Sequence, residues 1–344
     1  MAGPFKLVLT SDRYNTDVDS LALERQLLAD NSDLEIDLQT ISGEDMERVI
    51  AACADADVLL ASTRESFPRA VLERLTTIKV LSRYGVGLDN VDLDAAAELG
   101  IVVTHYPAYC TAEVADHALA LILALNRRIV HLDRELTAGA WLRHGRATGA
   151  ILHTRIAPLR EQTLGIIGFG RIGRLVAERA RPFGLTILVS DPYLDPATLP
   201  DYVTLVELSD LLARSDIVTL HCPLTPETRG LINAERLSLM KPNAYLVNTA
   251  RGPIIDLDAL ATVLAAGGLA GAGLDVVDPE PLPETSPLYA LDNVILTPHA
   301  AYYSERSVDI VRRQTLLQAL RVLRGLRPEV VANPAVLERV SLAS

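Results

Sequence analysis

The sequence predicts an α/β protein of two doubly wound, parallel-sheet domains in tandem, the second inserted into the first. Three observations carry this expectation. Residues 1–107 alternate short β-rich runs with helical stretches, as chained strand–helix–strand units do. A second series of the same kind begins at Thr163. The last helical stretch, Ser304–Leu323, is too short to be a domain, so it should return to the first one. The expected division is 1–107 with 300–344 for the discontinuous domain, and 108–299 for the inserted one.

In the first series the strand candidates are Lys6–Leu9, Ile36–Leu38, Val58–Ala61, Lys79–Leu81 and Ile101–Thr104. Helical stretches lie between them at Val18–Ala29, Met46–Ala52, Pro68–Leu75 and Leu93–Leu99, the last stopped by Gly100. A long helix follows at about Ala112–Arg128, apolar on nearly every face and therefore expected against a large surface. The stretch Thr137–Gln162 is polar, contains Gly and gives no clear period. The second series has strand candidates at Leu164–Ile167, Thr186–Ser190, Ile217–Leu220, Ala244–Asn248, Gly271–Asp275 and Val294–Leu296.

Bulk properties narrow the class. A chain of 344 residues can bury two cores. The formal charge of −12 speaks against nucleic acid or an anionic membrane as a partner, because phosphates would be repelled. An anionic ligand would need local positive charge. No apolar run reaches membrane-spanning length, and Ala118–Leu125 is bracketed by Asp116, His117, Arg127 and Arg128. The N-terminus enters the strand-like Lys6–Thr10 with no apolar leader core. Cys53, Cys110 and Cys222 are odd in number and lack ligand spacing, which fits a reducing, cytoplasmic location with no disulfide frame. No pair of histidines has metal-ligand spacing, so no metal is expected.

The first chemical motif is Gly168-Phe169-Gly170-Arg171-Ile172-Gly173, directly after a strand and at the start of a helix. Gly168 allows the tight turn, Gly170 lets the backbone approach a pyrophosphate, and Gly173 lets helix and strand pack closely. The helix N-terminus offers unpaired N–H groups to phosphate. A lone motif of this kind is weak, but the next strand ends in Asp191, at the separation typical of the ribose-binding acid. Asp191 would repel a 2′-phosphate, and no Lys or Arg occurs between it and Arg214, so the expected cofactor is NAD.

Hydride transfer to a 2-keto acid needs a holder for the carboxylate, a polariser for the carbonyl and a proton donor. Three segments end where such groups can meet, at carboxyl ends of parallel strands: Asn248–Gly252 with Arg251, Asp275–Pro281 with Glu280, and Thr297-Pro298-His299. Singly, Arg251 reads equally as a surface cation, Glu280 as a loop acid and His299 as a turn cap. Their order behind a dinucleotide motif makes a specific pattern.

With those residues in view, the chain resembles the D-2-hydroxyacid dehydrogenase family over essentially its whole length. The stretches Arg83–Asn90, Thr219–Cys222 and His299–Glu305 are most similar to its C-terminal-binding-protein branch, whose eukaryotic members carry Trp where this chain has Tyr302. The resemblance implies a Rossmann NAD-binding domain inserted into a discontinuous, flavodoxin-like substrate domain. It implies that Arg251 binds the carboxylate and carbonyl of a small anionic 2-hydroxy or 2-keto acid, that His299 is the acid/base, and that Glu280 pairs with His299. A carboxylate beside an imidazole favours the protonated ring, which suits keto-acid reduction. Arg251 would supply the positive charge that the acidic chain otherwise lacks. The glycines around Val86 suit an anion nest, so Val86 and Gly87 are expected at the substrate, with Tyr302 shaping the pocket. Asp275 is implied near the nicotinamide carboxamide, with Val114, Thr249 and the Cys222-Pro223 to Thr228 loop lining the cofactor. His105, His117, His131, His144, His153 and His221 read mostly as structural or exposed, His221 with a cofactor contact through its loop.

The sequence leaves open which acid is used, and it leaves three alternatives: an NAD(H)-sensing, corepressor-like protein, a phosphite dehydrogenase and a phosphoglycerate dehydrogenase. One domain face covers only part of the circumference of the Ala112–Arg128 helix. A homodimer is therefore expected, built on this helix and the Arg128–Gly149 segment.

Overall fold

The structure is a computed structural model that describes residues 4–10, 21–144 and 156–343. The chain divides into two compact units, 1–110 with 304–344, and 111–303. Val18–Ser20 of the first expected helix, His153, and residues 145–149 of the expected dimer segment lie outside the described residues.

The first unit holds a five-stranded, all-parallel sheet of β1 (Phe5–Leu9), β2 (Ile36–Thr40), β3 (Val58–Ala61), β4 (Val80–Arg83) and β5 (Val102–His105), in the order β2-β1-β3-β4-β5. That order is the flavodoxin-like winding. β3 and β4 are buried along their whole length, as a sheet covered on both faces requires. Asp45 and Asp92 cap the helices Met46–Ala52 and Leu93–Glu98 through backbone N–H groups one turn on. Gly100 ends the second of these at φ +75°.

The C-terminal stretch does return to this sheet. Helix Glu305–Leu323 starts in a capping box between Ser304 and Ser307. It buries Val311, Leu316, Ala319 and Leu320. The Ser82 hydroxyl donates to the Thr315 carbonyl at 2.8 Å, and Arg312 forks onto the buried Glu24 carboxylate. Asn333 replaces a strand at the β5 edge, its side chain accepting from Val103 N–H at 2.9 Å and donating to the Ile101 carbonyl at 2.8 Å.

The second unit holds a seven-stranded, all-parallel sheet: β6 (Thr163–Ile167), β7 (Thr186–Ser190), β8 (Val203–Leu205), β9 (Ile217–Leu220), β10 (Tyr245–Asn248), β11 (Gly271–Leu274) and β12 (Val294–Leu296). Their order is β12-β11-β10-β9-β6-β7-β8. The winding reverses between β6 and β9, the switch point at which such sheets bind ligands. The register sets Ile167, Leu220, Asn248, Leu274 and Leu296 in one row, with Ser190 beside Ile167. The residues that follow this row are Gly168, Asp191, His221, Thr249, Asp275 and Thr297.

Two expectations need correction. The long helix runs over Thr111–Asn126 and buries Ala115, Ala118, Leu119, Leu121, Ile122 and Leu125 within the core of its own unit. The glycines of β11 make this possible, since a Cβ on Gly273 would lie 3.2 Å from Leu121 and Leu125. The sheet and the helix Arg171–Ala180 therefore cover more of its circumference than one face would. The apolar surface lies further on, at Ile129, Trp141 and Leu142, which are 55%, 64% and 94% exposed. The stretch without a clear period contains the short helix Ala140–His144, preceded by an unanticipated helix, Ile129–Thr137.

Candidate active site

The glycines of the turn after β6 meet three different constraints. Gly168 has φ +87°, and a Cβ there would lie 2.5 Å from the Cys222 backbone nitrogen. At Gly173 a Cβ would lie 2.2 Å from the Gly168 carbonyl oxygen. Gly170 caps the helix Arg171–Ala180, and its Cβ would meet no protein atom within 4 Å. The first two glycines let backbone pack on backbone. The third opens space in front of a helix N-terminus, where a phosphate would sit.

Asp191 is held in place by that turn. Its carboxylate accepts from Phe169 N–H at 2.8 Å and Tyr193 N–H at 3.0 Å, one bond on each oxygen. Each oxygen keeps acceptor capacity for a hydroxyl. Phe169 is buried under the Arg174 guanidinium, whereas Arg171 is exposed and Ile172 half-buried on the first helical turn.

The loop after β9 is closed on itself. The Thr228 hydroxyl donates to the Pro223 carbonyl at 2.6 Å and accepts from Thr225 N–H at 2.7 Å, so Thr228 shapes the loop through its own chain. Burial pushes the Cys222 thiol up to about 11, which keeps it protonated. Burial pushes the His221 imidazole down to about 3, so the ring is neutral, with Nε2 3.0 Å from the Thr219 hydroxyl. His221 Nδ1 and the hydroxyl of buried Thr249 have no hydrogen-bond partner among the described residues. Orphaned polar atoms beside an open glycine turn suit a dinucleotide, because buried polar groups are normally satisfied. Val114 is buried in the long helix.

Arg251 follows β10 in a turn clamped by Asn248, which is fully buried. The Asn248 side chain donates to the Arg251 carbonyl at 2.9 Å and accepts from Ala250 N–H at 3.0 Å. The Arg251 guanidinium is half-buried and donates to the Ala250 carbonyl at 2.8 Å.

Glu280 and His299 come together. His299 Nδ1 lies 3.0 and 3.1 Å from the two Glu280 oxygens. A carboxylate only accepts, so Nδ1 carries the hydrogen and Nε2 is left for a substrate. Tyr302 packs edge-on to the ring at 6.4 Å. His299 itself has φ +51°, uncommon for a residue with a Cβ.

Asp275 has a larger part than its expected contact with a carboxamide. Its carboxylate accepts from Thr297 Oγ1 at 2.6 Å, Ala300 N–H at 2.8 Å and Ala301 N–H at 3.0 Å, and its carbonyl accepts from His299 N–H at 2.8 Å. Oδ2, with one of these bonds, retains room for a further donor.

Val86 and Gly87 belong to the first unit, just after β4. Gly85 has φ +151°, and the Val86 carbonyl accepts from His105 Nδ1 at 2.9 Å. Among the described residues, no group of three or more His, Cys, Asp or Glu side chains is placed to hold a metal ion, and no helix is long and apolar enough to cross a membrane.

Comparisons with known proteins identify the family. Residues 119–301 match the family described as D-isomer specific 2-hydroxyacid dehydrogenase, NAD binding domain. A glyoxylate reductase of Thermofilum pendens is 39% identical over 300 residues, covering 85% of this chain and 86% of that protein. A D-3-phosphoglycerate dehydrogenase of Mycobacterium tuberculosis is 40% identical over 266 residues, 77% of this chain. The match spans only 49% of that longer protein. The crystal structure of D-lactate dehydrogenase from Aquifex aeolicus, complexed with NAD and lactic acid, aligns with a TM-score of 0.79 and 28% identity. That alignment covers 98% of this chain and 99% of the other.

Proposed function

The chain belongs to the D-isomer specific 2-hydroxyacid dehydrogenase family and is an NAD-dependent oxidoreductase acting on a CH–OH group; on that premise we propose that it reduces a small 2-keto acid of the glyoxylate, hydroxypyruvate or pyruvate class. The observation that carries this reading is the paired contact of Glu280 with His299 Nδ1, at 3.0 and 3.1 Å. It supports Nε2 as the ring nitrogen that does the chemistry. In the reduction, protonated His299 gives the Nε2 proton to the oxygen that becomes the hydroxyl, and Glu280 stabilises the charged ring beforehand. In the oxidation, neutral His299 keeps its hydrogen on Nδ1 and takes the hydroxyl proton at Nε2. Arg251 pairs with the substrate carboxylate and polarises the carbonyl, in a turn that Asn248 makes rigid. Bound NADH supplies the hydride. Asp191, the Gly168–Gly173 turn and Thr249 hold that cofactor, and Asp191 disfavours a 2′-phosphate.

The name of the Thermofilum pendens relative, a glyoxylate reductase, supports a two-carbon acid. A cytoplasmic location and a homodimer belong to the same reading. The dimer is supported by the exposed apolar residues Ile129, Trp141 and Leu142, clustered within a short stretch of the second unit.

The test is NADH oxidation followed against glyoxylate, hydroxypyruvate, pyruvate and phenylpyruvate. Wild-type protein should turn over at least one of them. His299→Ala should lose about a hundredfold in kcat, the scale of a lost general acid, with NADH affinity retained. Tight NADH binding with no turnover across the panel would favour a sensing role and sink the proposal.

A further inference from the structure

We propose that His117 is a positioning residue that acts, through Thr297 and Asp275, to hold the turn presenting His299. The sequence gives His117 no distinction, since it is one polar residue on a largely apolar helix. In the fold its Nε2 lies 3.0 Å from Thr297 Oγ1 and 3.6 Å from Asp275 Oδ1. The side chains of His117 and Asp275 are only 24% and 1% exposed.

Counting donors fixes the direction of the chain of bonds. Asp275 accepts from Ala300 N–H and Ala301 N–H, which hold it as a carboxylate. Thr297 Oγ1, 2.6 Å away, must therefore donate its one hydrogen to Asp275 Oδ1. With that hydrogen committed, the hydroxyl can only accept from His117, so His117 carries a proton on Nε2. The order is His117 to Thr297 to Asp275, and Asp275 binds the backbone on the far side of His299.

The anchorage matters because the turn is strained. A residue with a Cβ at φ +51° persists only where its surroundings over-determine it. Here one aspartate binds residues 297, 299, 300 and 301. Without His117, the Thr297 hydroxyl loses the donor that sets its rotamer, and its grip on Asp275 loosens. On the same helical turn Asp116 pairs with Arg179 at 2.6 Å, and Arg179 belongs to the helix that follows the glycine turn.

The inference rests on the proposed role of His299 for its kinetic arm only. The full chain would be prepared as His117→Ala, His117→Gln, Thr297→Val and the double variant His117→Ala/Thr297→Val. Gln places an N–H near the position of Nε2. Three quantities would be read: kcat and KM for the keto acid, NADH affinity by fluorescence, and C2–H deuterium exchange at His299 by mass spectrometry. The last needs no turnover.

His117→Ala should lower kcat about tenfold or more, with NADH affinity within about twofold of wild type, and should speed exchange at His299. His117→Gln should recover most of both. The double variant should be no worse than Thr297→Val alone, because both break one chain of bonds. If His117→Ala fails to fold, His117→Leu, which fills a similar space without a donor, carries the same reading. Unchanged exchange at His299 in His117→Ala would overturn the inference, as would losses that multiply in the double variant. Failure of the wild type to turn over any keto acid would count against the proposed function, and the exchange measurement would still decide the role of His117.

Discussion

Replacing Gly170 by Ala should weaken NADH binding and leave the fold nearly as stable as before. Gly170 sits at φ −73°, open to any residue, and a methyl group there meets no protein atom within 4 Å. The structural cost is the poorer helix cap, about 1 kcal/mol, or a few degrees in Tm. If the space belongs to a pyrophosphate, the methyl intrudes on the ligand at an overpacking cost of ~1–3 kcal/mol, or about 5- to 150-fold in Kd. Gly168→Ala should behave in the opposite way. Its methyl would press on Cys222 N at 2.5 Å and on Cys222 Cα and the His221 carbonyl carbon at 2.7 Å, all backbone, at φ +87°. Conformational strain of ~1–2 kcal/mol and overpacking of ~1–3 kcal/mol together cost ~2–5 kcal/mol of stability. Urea denaturation and NADH fluorescence titration on both variants separate the two effects. The reasoning fails if Gly170→Ala binds NADH like the wild type, or destabilises the protein as much as Gly168→Ala.

Three further outcomes are expected. Asp191→Ser combined with Tyr193→Arg should raise kcat/KM for NADPH relative to NADH by about a hundredfold, since a repelling carboxylate is replaced by an Arg suited to phosphate; a wild type that uses both cofactors equally would refute this. Burial pushes Cys53 up to about 12 and Cys222 up to about 11, so native protein at pH 8 should react slowly with a thiol reagent at both. Because only the unfolded chain ionises these thiols from about pH 9 upward, their contribution to stability is intact below pH 9 and lost as pH rises toward 11; a urea midpoint unchanged between pH 7 and 10.5 would contradict it. Trp141→Asp with Leu142→Asp should convert a dimer into a monomer by light scattering, and a monomeric wild type at micromolar concentration would remove the dimer from the account.

What was legible in the sequence follows from the range of the physics involved. Strands such as Val58–Ala61, Thr186–Ser190 and Ile217–Leu220 could be read to the residue, because a sheet covered on both faces demands a continuous apolar run. The Gly168–Gly173 turn was legible because local geometry dictates glycine there. β8 escaped because three residues are too few to show a period, and of these Val203 alone is buried. Helix Ile129–Thr137 carries an apolar stripe of Ile129, Leu132 and Leu136, but it follows the long helix with no Gly or Pro to separate the two. The same division runs through the candidate site. Arg251, Glu280 and His299 announce themselves by following strands, whereas His117 stands 180 positions from Thr297 and acquires its meaning only from tertiary packing. On a helix that is apolar for packing reasons, a half-buried polar side chain looks incidental. The opposite inference is the physically sound one: a His tolerated on such a face normally has its hydrogen bond satisfied, and the identity of that partner is where a site residue hidden from sequence should be sought.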